Sequence, residues 1–397
     1  MAMRIVTRMA ELMGAERLVP IASAHIDGCL YHGDSGVAFA ERLVDGGGAV
    51  GVATTLNVGA LDLLHPTRVR ADPARQAMAR RLMTAYEALG CAPSWTCAPY
   101  QAGHRPALGE HVAWGESNAV AFANSVLGAR TNRYGDFLDI CCALVGRAPM
   151  TGLHRDADRR ATVLVETDAL SPALRVMTAF YPVLGAWLGA EIGDAVAVIN
   201  GLPATIPEDN LKALGAAAAS SGAVGLFHVA GVTPEAPSVD AALAGRPPVR
   251  TLRLTPDHVR TARDRLSTAA TGPIDAVAVG SPHFSLDEFA ALETLLAGGE
   301  RLCRPFYVCT GRGVVATLEA QGRLDALEAA GILVVADTCV VVTPILPAGG
   351  GVLMTNSAKF AHYAPANTGY AVVYGSLSDC VASARAGRVT RDESAWR

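Results

Sequence analysis

None of the nine cysteines in this chain stands in a Cys-x-x-Cys arrangement. Local zinc-finger, ferredoxin-type and thioredoxin-type patterns are therefore excluded, and a metal held by thiolates must draw them from distant segments. An odd cysteine count in a chain of 397 residues also gives no reason to expect a disulfide framework. Charge is scarce as well: 18% of residues are Asp, Glu, Lys or Arg, against roughly a quarter in typical domains. The net charge is −4 and no basic run is longer than a pair, which argues against nucleic acid as a partner. Long apolar runs are missing too. The longest uncharged stretch, Leu214 to Pro234, holds four glycines, two serines and a histidine, and divides into a helix and a strand rather than a membrane span. The N-terminal MAMRIVTRMAELMGAERL lacks the continuous apolar core of a secretory signal, so a cytoplasmic location is expected.

What is present is apolar content, 51% of residues, enough to bury a core in two or three domains. One grammar repeats along the chain: a β-branched run, a polar or glycine-containing loop, then a capped helix. Ile274 to Val279 reads as a strand, followed by a capping box at Ser285 and Glu288 and a helix stop at Gly298. Phe306 to Val308 reads as the next strand, Val315 to Ala330 as a helix, and Ile332 to Ala336 as a third strand delivering Asp337-Thr338-Cys339. Ala195 to Ile199 and Ala223 to Phe227 read as strands flanking a helix that Pro207 opens. Asp72 and Pro73 start another helix, and a strand after it is expected to end at Thr96-Cys97-Ala98. The pattern predicts an α/β fold with parallel sheets and domains over 1–150, 151–245 and 246–397. Ligands in such sheets sit at the carboxyl ends of strands, which makes polar residues there the suspects.

Cys29, Cys91, Cys141, Cys142 and Cys303 lie in or beside apolar stretches and read as small buried hydrophobes. Cys97, Cys309 and Cys339 stand at predicted strand ends, and Cys380 lies near the chain end. The segment Asn124 to Arg133 places Arg130 and Arg133 with two amides in a glycine-containing stretch, suited to a carboxylate or phosphate, or else simply a solvated loop. Thr355 to Tyr363 groups Ser357, Lys359 and His362 beside aromatics, either as a site or as a capped surface helix. Ser23-Ala24-His25-Ile26-Asp27 and Thr54 to Gly59, which contains Asn57, follow apolar runs near the start.

Together these clusters resemble the aconitase X family, stand-alone relatives of the iron–sulfur hydro-lyases. The matching segments are SAHIDG at 23–28, TCAPY at 96–100, AWGESNAVAFANSVLGARTNR at 113–133, ADTCVVVTPI at 336–345 and TNSAKFAHY at 355–363. The resemblance implies an aconitase-like α/β fold arranged around a cluster site and lacking the swivelling small domain. It implies an iron–sulfur cluster, [2Fe-2S] or [4Fe-4S], held by three cysteines, with Cys97, Cys339 and, in preference to Cys309, Cys380 as ligands. From the polar clusters themselves, Ser23, His25, Lys359 and His362 are candidate catalytic residues, with Ser23, His25 or His362 as the base should it lie within this chain. Asn57, Arg130, Thr131, Asn132, Arg133 and Ser357 are candidate substrate-binding residues.

The implied activity is the dehydration of a small hydroxy acid. In this family that means cis-3-hydroxy-L-proline converted to Δ1-pyrroline-2-carboxylate, or else a phosphomevalonate. Such chemistry needs a Lewis acid for the leaving hydroxyl and a base for a carbon-bound proton. The base is expected on a separate small swivelling-domain subunit, since the family's large part accounts for almost the whole chain. The contrasting reading is a binding subunit without a cluster.

Overall fold

The computed structural model describes residues 1–298 and 300–396. The strands, in chain order, are β1 (Leu18–Pro20), β2 (Ser23–Ile26), β3 (Ala53–Leu56), β4 (Val112–Trp114), β5 (Arg147–Pro149), β6 (Val163–Glu166) and β7 (Ala197–Asn200). They continue with β8 (Phe227–Val229), β9 (Arg250–Arg253), β10 (Ala276–Phe284), β11 (Phe306–Thr310), β12 (Ile332–Ala336), β13 (Gly351–Thr355) and β14 (Tyr370–Tyr374). Three sheets, all parallel within themselves, carry the fold: β3-β2-β4, β8-β7-β6-β9 and β12-β11-β10-β13-β14. A short antiparallel ribbon joins β1 to β5. The fold is thus α/β with several parallel sheets, as the alternating pattern predicts.

Two of these sheets change direction in a way that matters for ligands. In the third, the chain starts at the central β10, runs outward through β11 and β12, then returns to lay β13 and β14 on the other side. In the first, it starts at β2 and places β3 and β4 on opposite flanks. Loops diverge at such switch points and leave a crevice at the carboxyl ends of the strands.

The third sheet is covered on both faces, and the period of two along its strands assigns side chains to each. Phe306 and Val308 of β11 pack with Phe289, Leu292, Val315 and Cys380. Tyr307 and Cys309 of the same strand pack on the other face with Cys339, Phe360 and Ala364. The Ser285–Glu288 capping box is present at the start of helix Leu286–Leu296.

Local expectations fail in three places, one of them the strand read over 223–227, which forms only as Phe227–Val229. The helix read over 315–330 is two, Arg312–Ala320 and Leu324–Ala329, interrupted around Gly322 with φ +65°. The strand expected before Cys97 is an irregular segment beside β3. Ala92 N–H and Thr96 N–H donate to the carbonyls of Thr54 and Leu56, but Trp95 at φ +43° breaks the extended path. No helix among the described residues is long and apolar enough to cross a membrane.

Candidate active site

The two switch points meet. Glu116 follows β4 and caps helix Ser117–Phe122, where its Oε2 accepts from the Ala119 N–H and the Asn118 amide, both at 2.7 Å. Its other oxygen accepts from Lys359, which sits just after β13 in helix Ala358–Thr368. Ser357 is the N-cap of that helix, accepting from the Phe360 N–H at 3.1 Å, and its hydroxyl also donates to the Ser281 carbonyl at the end of β10. Burial by itself disfavours a charged lysine. Glu116 and Cys97 nonetheless hold Lys359 protonated and raise its pKa above the ordinary value. A cavity of about 460 Å³ opens here, lined by Gly280, Ser281, Pro282, Asn356, Ser357 and Lys359 among others.

Three thiols gather at this crevice. The Cys97 Sγ accepts from the His283 N–H at 3.3 Å, and the Cys97 carbonyl accepts from the Asn118 amide at 2.6 Å. Cys97 and Cys339 feel each other electrostatically, and Cys309 feels both. Burial pushes the Cys97 thiol up to about 12, partly offset by Lys359, and raises Cys339 and Cys309 likewise. The loops are pinned by groups whose roles the sequence reading missed. His283 Nδ1 meets the Thr96 hydroxyl at 2.9 Å, and its Nε2 reaches the Thr338 carbonyl at 3.2 Å, tying the Cys97 loop to the Cys339 loop. Burial lowers its pKa to about 4, so the ring is neutral. Lys212, buried and paired with Asp209 at 2.7 Å and Glu288 at 2.5 Å, donates to the His283 carbonyl. Asp337, held at φ +63°, makes a two-pronged pair with Arg312 at 2.8 Å for each prong and accepts from the Gly59 N–H through its carbonyl. His283 stands at a predicted strand end, and that position was the available signal.

On the first-sheet side, Asp27 follows β2, and its N–H donates to buried Asp139 at 2.7 Å. Asn57, after β3, donates to the Asp27 carboxylate. Burial, then repulsion from Glu116 and Asp136, raises Asp27 to about 7. Burial raises Asp139 to about 7, although backbone N–H groups of Asp27 and Ile140 oppose the shift.

Several residues singled out from sequence lie elsewhere. Cys380 is buried in the apolar layer on the opposite face of the third sheet from Cys309 and Cys339, so the sheet itself keeps it from joining Cys97. Arg130 bridges to His111 ahead of β4, away from that strand's carboxyl end, and pairs with Asp156 and the His154 carbonyl. Thr131 and Asn132 spend their side chains on backbone groups of Trp114, Thr151 and Leu153, and Arg133 donates to the Ala219 carbonyl. These four residues fasten a loop and do not reach the cavity. His362 is exposed and faces a separate groove with Trp187 and His258. Ser23 and His25 belong to a polar chain under Trp114 that runs behind the Cys97 loop: His25 meets Thr55 at 2.8 Å, Thr55 meets His104 at 2.7 Å, His104 meets Ser23 at 2.7 Å, and His25 also reaches the Thr96 backbone beside Cys97. Of the candidates, Cys97, Cys339, Ser357, Lys359 and Asn57 are brought to the crevice together with Cys309, the alternative third thiol, and the structure adds Asp27, Glu116 and His283.

The donor set tests well against an iron–sulfur cluster. Three thiols from three separate loops or strand ends, with a lysine that favours the anionic form of Cys97 and Cys339, are the ligand chemistry such clusters use. Among the described residues, no three His, Cys, Asp or Glu side chains converge on one point as a single metal ion would require.

The chain matches the family models for the Aconitase X first domain over residues 1–157, the second over 161–264 and the third over 274–386. It is 48% identical over its whole length to a cis-3-hydroxy-L-proline dehydratase of Pseudomonas aeruginosa, spanning 68% of that protein. It is 41% identical over 96% of its length to one of Hypocrea jecorina, of which it spans 65%. A phosphomevalonate dehydratase large subunit of Methanothermobacter thermautotrophicus is 39% identical, with 94% of this chain and 91% of that one covered. The crystal structure of Thermococcus kodakaraensis aconitase X in its holo form superposes with a TM-score of 0.86 at 32% identity, covering 96% of this chain and 94% of that one. The parallel sheets meeting at a crevice with three buried thiols nearby are those of an aconitase-like protein. The chain belongs to the aconitase X family.

Proposed function

We propose that this chain is the catalytic large part of a hydro-lyase that dehydrates cis-3-hydroxy-L-proline to Δ1-pyrroline-2-carboxylate. The observation that carries the reading is the gathering of Cys97, Cys309 and Cys339, the first and last of them beside Lys359, in a chain 48% identical throughout to a protein of that activity. Loss of the α-proton and the C3 hydroxyl forms a C2=C3 double bond and releases water, and the resulting enamine tautomerises to the imine. Cys97, Cys309 and Cys339 would hold an iron–sulfur cluster, which when bound supplies a Lewis acid for the departing hydroxyl. Lys359, lining the cavity, stabilises the negative charge that builds on the substrate carboxylate as the α-proton leaves. His283 and Lys212 hold the strand-end loops so that this geometry exists before substrate arrives.

The base is assigned to a small swivelling-domain subunit. The hydroxyproline-dehydrating relatives are about half as long again as the part this chain matches, and the phosphomevalonate relative is named a large subunit.

The chain's 91% coverage of that large subunit favours a second reading, phosphomevalonate dehydration. The cations lining the cavity, Lys212 and Lys359, argue against it, because each is paired with a carboxylate and a phosphomevalonate brings a phosphate in addition to the carboxylate that Lys359 takes in either reading. A phosphate would have to compete for them. The deciding experiment is anaerobic co-expression with the small-subunit partner and assay on cis-3-hydroxy-L-proline and 5-phosphomevalonate. Turnover of the first only is expected, and turnover of the second only would overturn the proposal.

A further inference from the structure

Beside the Lys359–Glu116 pair stands a carboxyl group without a cation of its own. Asp27 is half-buried at the end of β2, the neighbour of the strand that carries Glu116, and its carboxylate accepts from the Asn57 amide nitrogen. Among the described residues it makes no ion pair, since Glu116 already takes Lys359. The arrangement is built closely: a Cβ on Gly115 would fall 2.8 Å from both the Asp27 Cβ and an Asp139 oxygen, so the end of β4 reaches Asp27 only as glycine. Independently, Asn57 is 3% exposed, and its Oδ1 is buried with no hydrogen-bond partner. A buried acceptor left unpaired costs free energy until something donates to it.

The Asp27 carboxylate has no cation on the protein, and the adjacent Asn57 amide oxygen has no donor. A secondary ammonium carries two N–H bonds and one positive charge, which is what these two acceptors lack. Resting on the hydroxyproline reading, we infer that Asp27 and Asn57 form the binding site for the substrate's ring ammonium, with one N–H to the Asp27 carboxylate and the other to the Asn57 Oδ1. Lys359, of opposite charge, takes the carboxylate of the same zwitterion. The pair thereby discriminates cyclic amino acids from hydroxy acids that have no nitrogen. Glu116, Asp136, Asp139 and Lys359 are the charged groups surrounding Asp27. Their net negative sign, together with the elevated Asp27 pKa, makes the carboxyl receptive to a cation as the pH rises through about 7.

The test uses the holoenzyme with its small subunit and measures equilibrium binding of cis-3-hydroxy-L-proline and of the carbocycle cis-2-hydroxycyclopentanecarboxylate. Wild type is expected to prefer the amine by roughly tenfold or more, as for a charge-assisted hydrogen bond, with the preference shrinking from pH 8 to pH 6. Asp27→Asn, nearly isosteric, is expected to bring the two affinities within about twofold, to leave the carbocycle's unchanged and to abolish the pH dependence of the ratio. Asn57→Ala, the second variant, is expected to lower the preference while keeping its pH dependence. An undiminished amine preference in Asp27→Asn, with wild type turning over hydroxyproline normally, would overturn this site alone. A wild type that dehydrates only 5-phosphomevalonate would overturn both this site and the substrate assignment.

Discussion

Lys359 and Glu116, 243 positions apart in sequence, form a buried ion pair that closes the crevice between the first and third sheets. Each stands at a strand end on the flank of a switch point, so the pair couples the two halves of the site directly. Lys359→Met leaves Glu116, its side chain 5% exposed, without its cation. Breaking such a pair from one side costs on the order of 3–5 kcal/mol, more than the pair's net worth. Chemical denaturation should show that loss, and Lys359→Met combined with Glu116→Gln should recover part of it. Equal stability for wild type and the single variant would contradict the burial argument.

Cluster loading provides a sharper test of the ligand set. Cys97→Ser, Cys309→Ser and Cys339→Ser should each lose most iron, sulfide and visible absorbance after anaerobic reconstitution. Cys380→Ser should retain all three, because that side chain faces the other layer of the sheet. Gly280→Ala should behave like a ligand loss, since its Cβ would sit 2.1 Å from the Cys309 carbonyl oxygen at φ +92°. Full iron in Cys309→Ser would remove it from the set.

Asp139 predicts a pH signature in the cluster-free chain. Its folded pKa of about 7 lies above the ordinary 3.8, so the folded state holds the proton more tightly than the unfolded state. The associated stability is complete below about pH 4 and is lost as the pH rises to about 7. Asp139→Asn does not titrate. The stability difference, wild type minus variant, should therefore fall across that interval by a few kcal/mol at most. Buried His283 and His154, lowered to about 4 and about 3, act in the opposite sense, losing stability as the pH drops below about 6.5. Both are present in each protein and cancel in the difference. Urea titrations at pH 4.5, 5.5 and 7 measure it, and a flat difference would refute the shift.

Arg130→Lys and His362→Ala separate fold from site. Arg130 is tied to Asp156 and a carbonyl, and His362 faces another groove. Both variants should keep KM and kcat within about twofold, with Arg130→Lys melting modestly earlier because an exposed partner such as Asp156 yields a small net gain. A severalfold rise in KM for either would place that residue at the substrate after all.

Much of the local structure was legible because its causes are local. Ser285 and Glu288 are spaced for a capping box and form one, and Asp72-Pro73 opens the helix Pro73–Ala88. The alternation of strand and helix implies parallel sheets, and polar clusters after apolar runs mark strand ends. Cys97, Cys339, Asn57, Ser357 and Lys359 stand in such clusters, and the fold brings them to the crevice between the first and third sheets. The break at Gly322 and the irregular backbone at Trp95 were not legible, since both depend on how the flanking segments dock.

The sequence by itself determined the α/β class, the positions of most strand ends and the inventory of thiols, carboxylates and cations available to them. Tertiary structure alone decided which members of that inventory meet. The family resemblance favours Cys380 over Cys309, yet the period of two along β11 turns Cys309 toward Cys339, while helix Leu377–Ala386 lays Cys380 against the opposite face. Arg130 and Arg133 suit an anion in isolation, but the register at His111 carries Arg130 to the wrong end of the sheet and into the reach of Asp156. Glu116 gives no sign of its importance until β4 and β13 are brought end to end. Spacing along the chain says where a side chain leaves the backbone, but facing and partner depend on strand register and on which side of a sheet each helix packs.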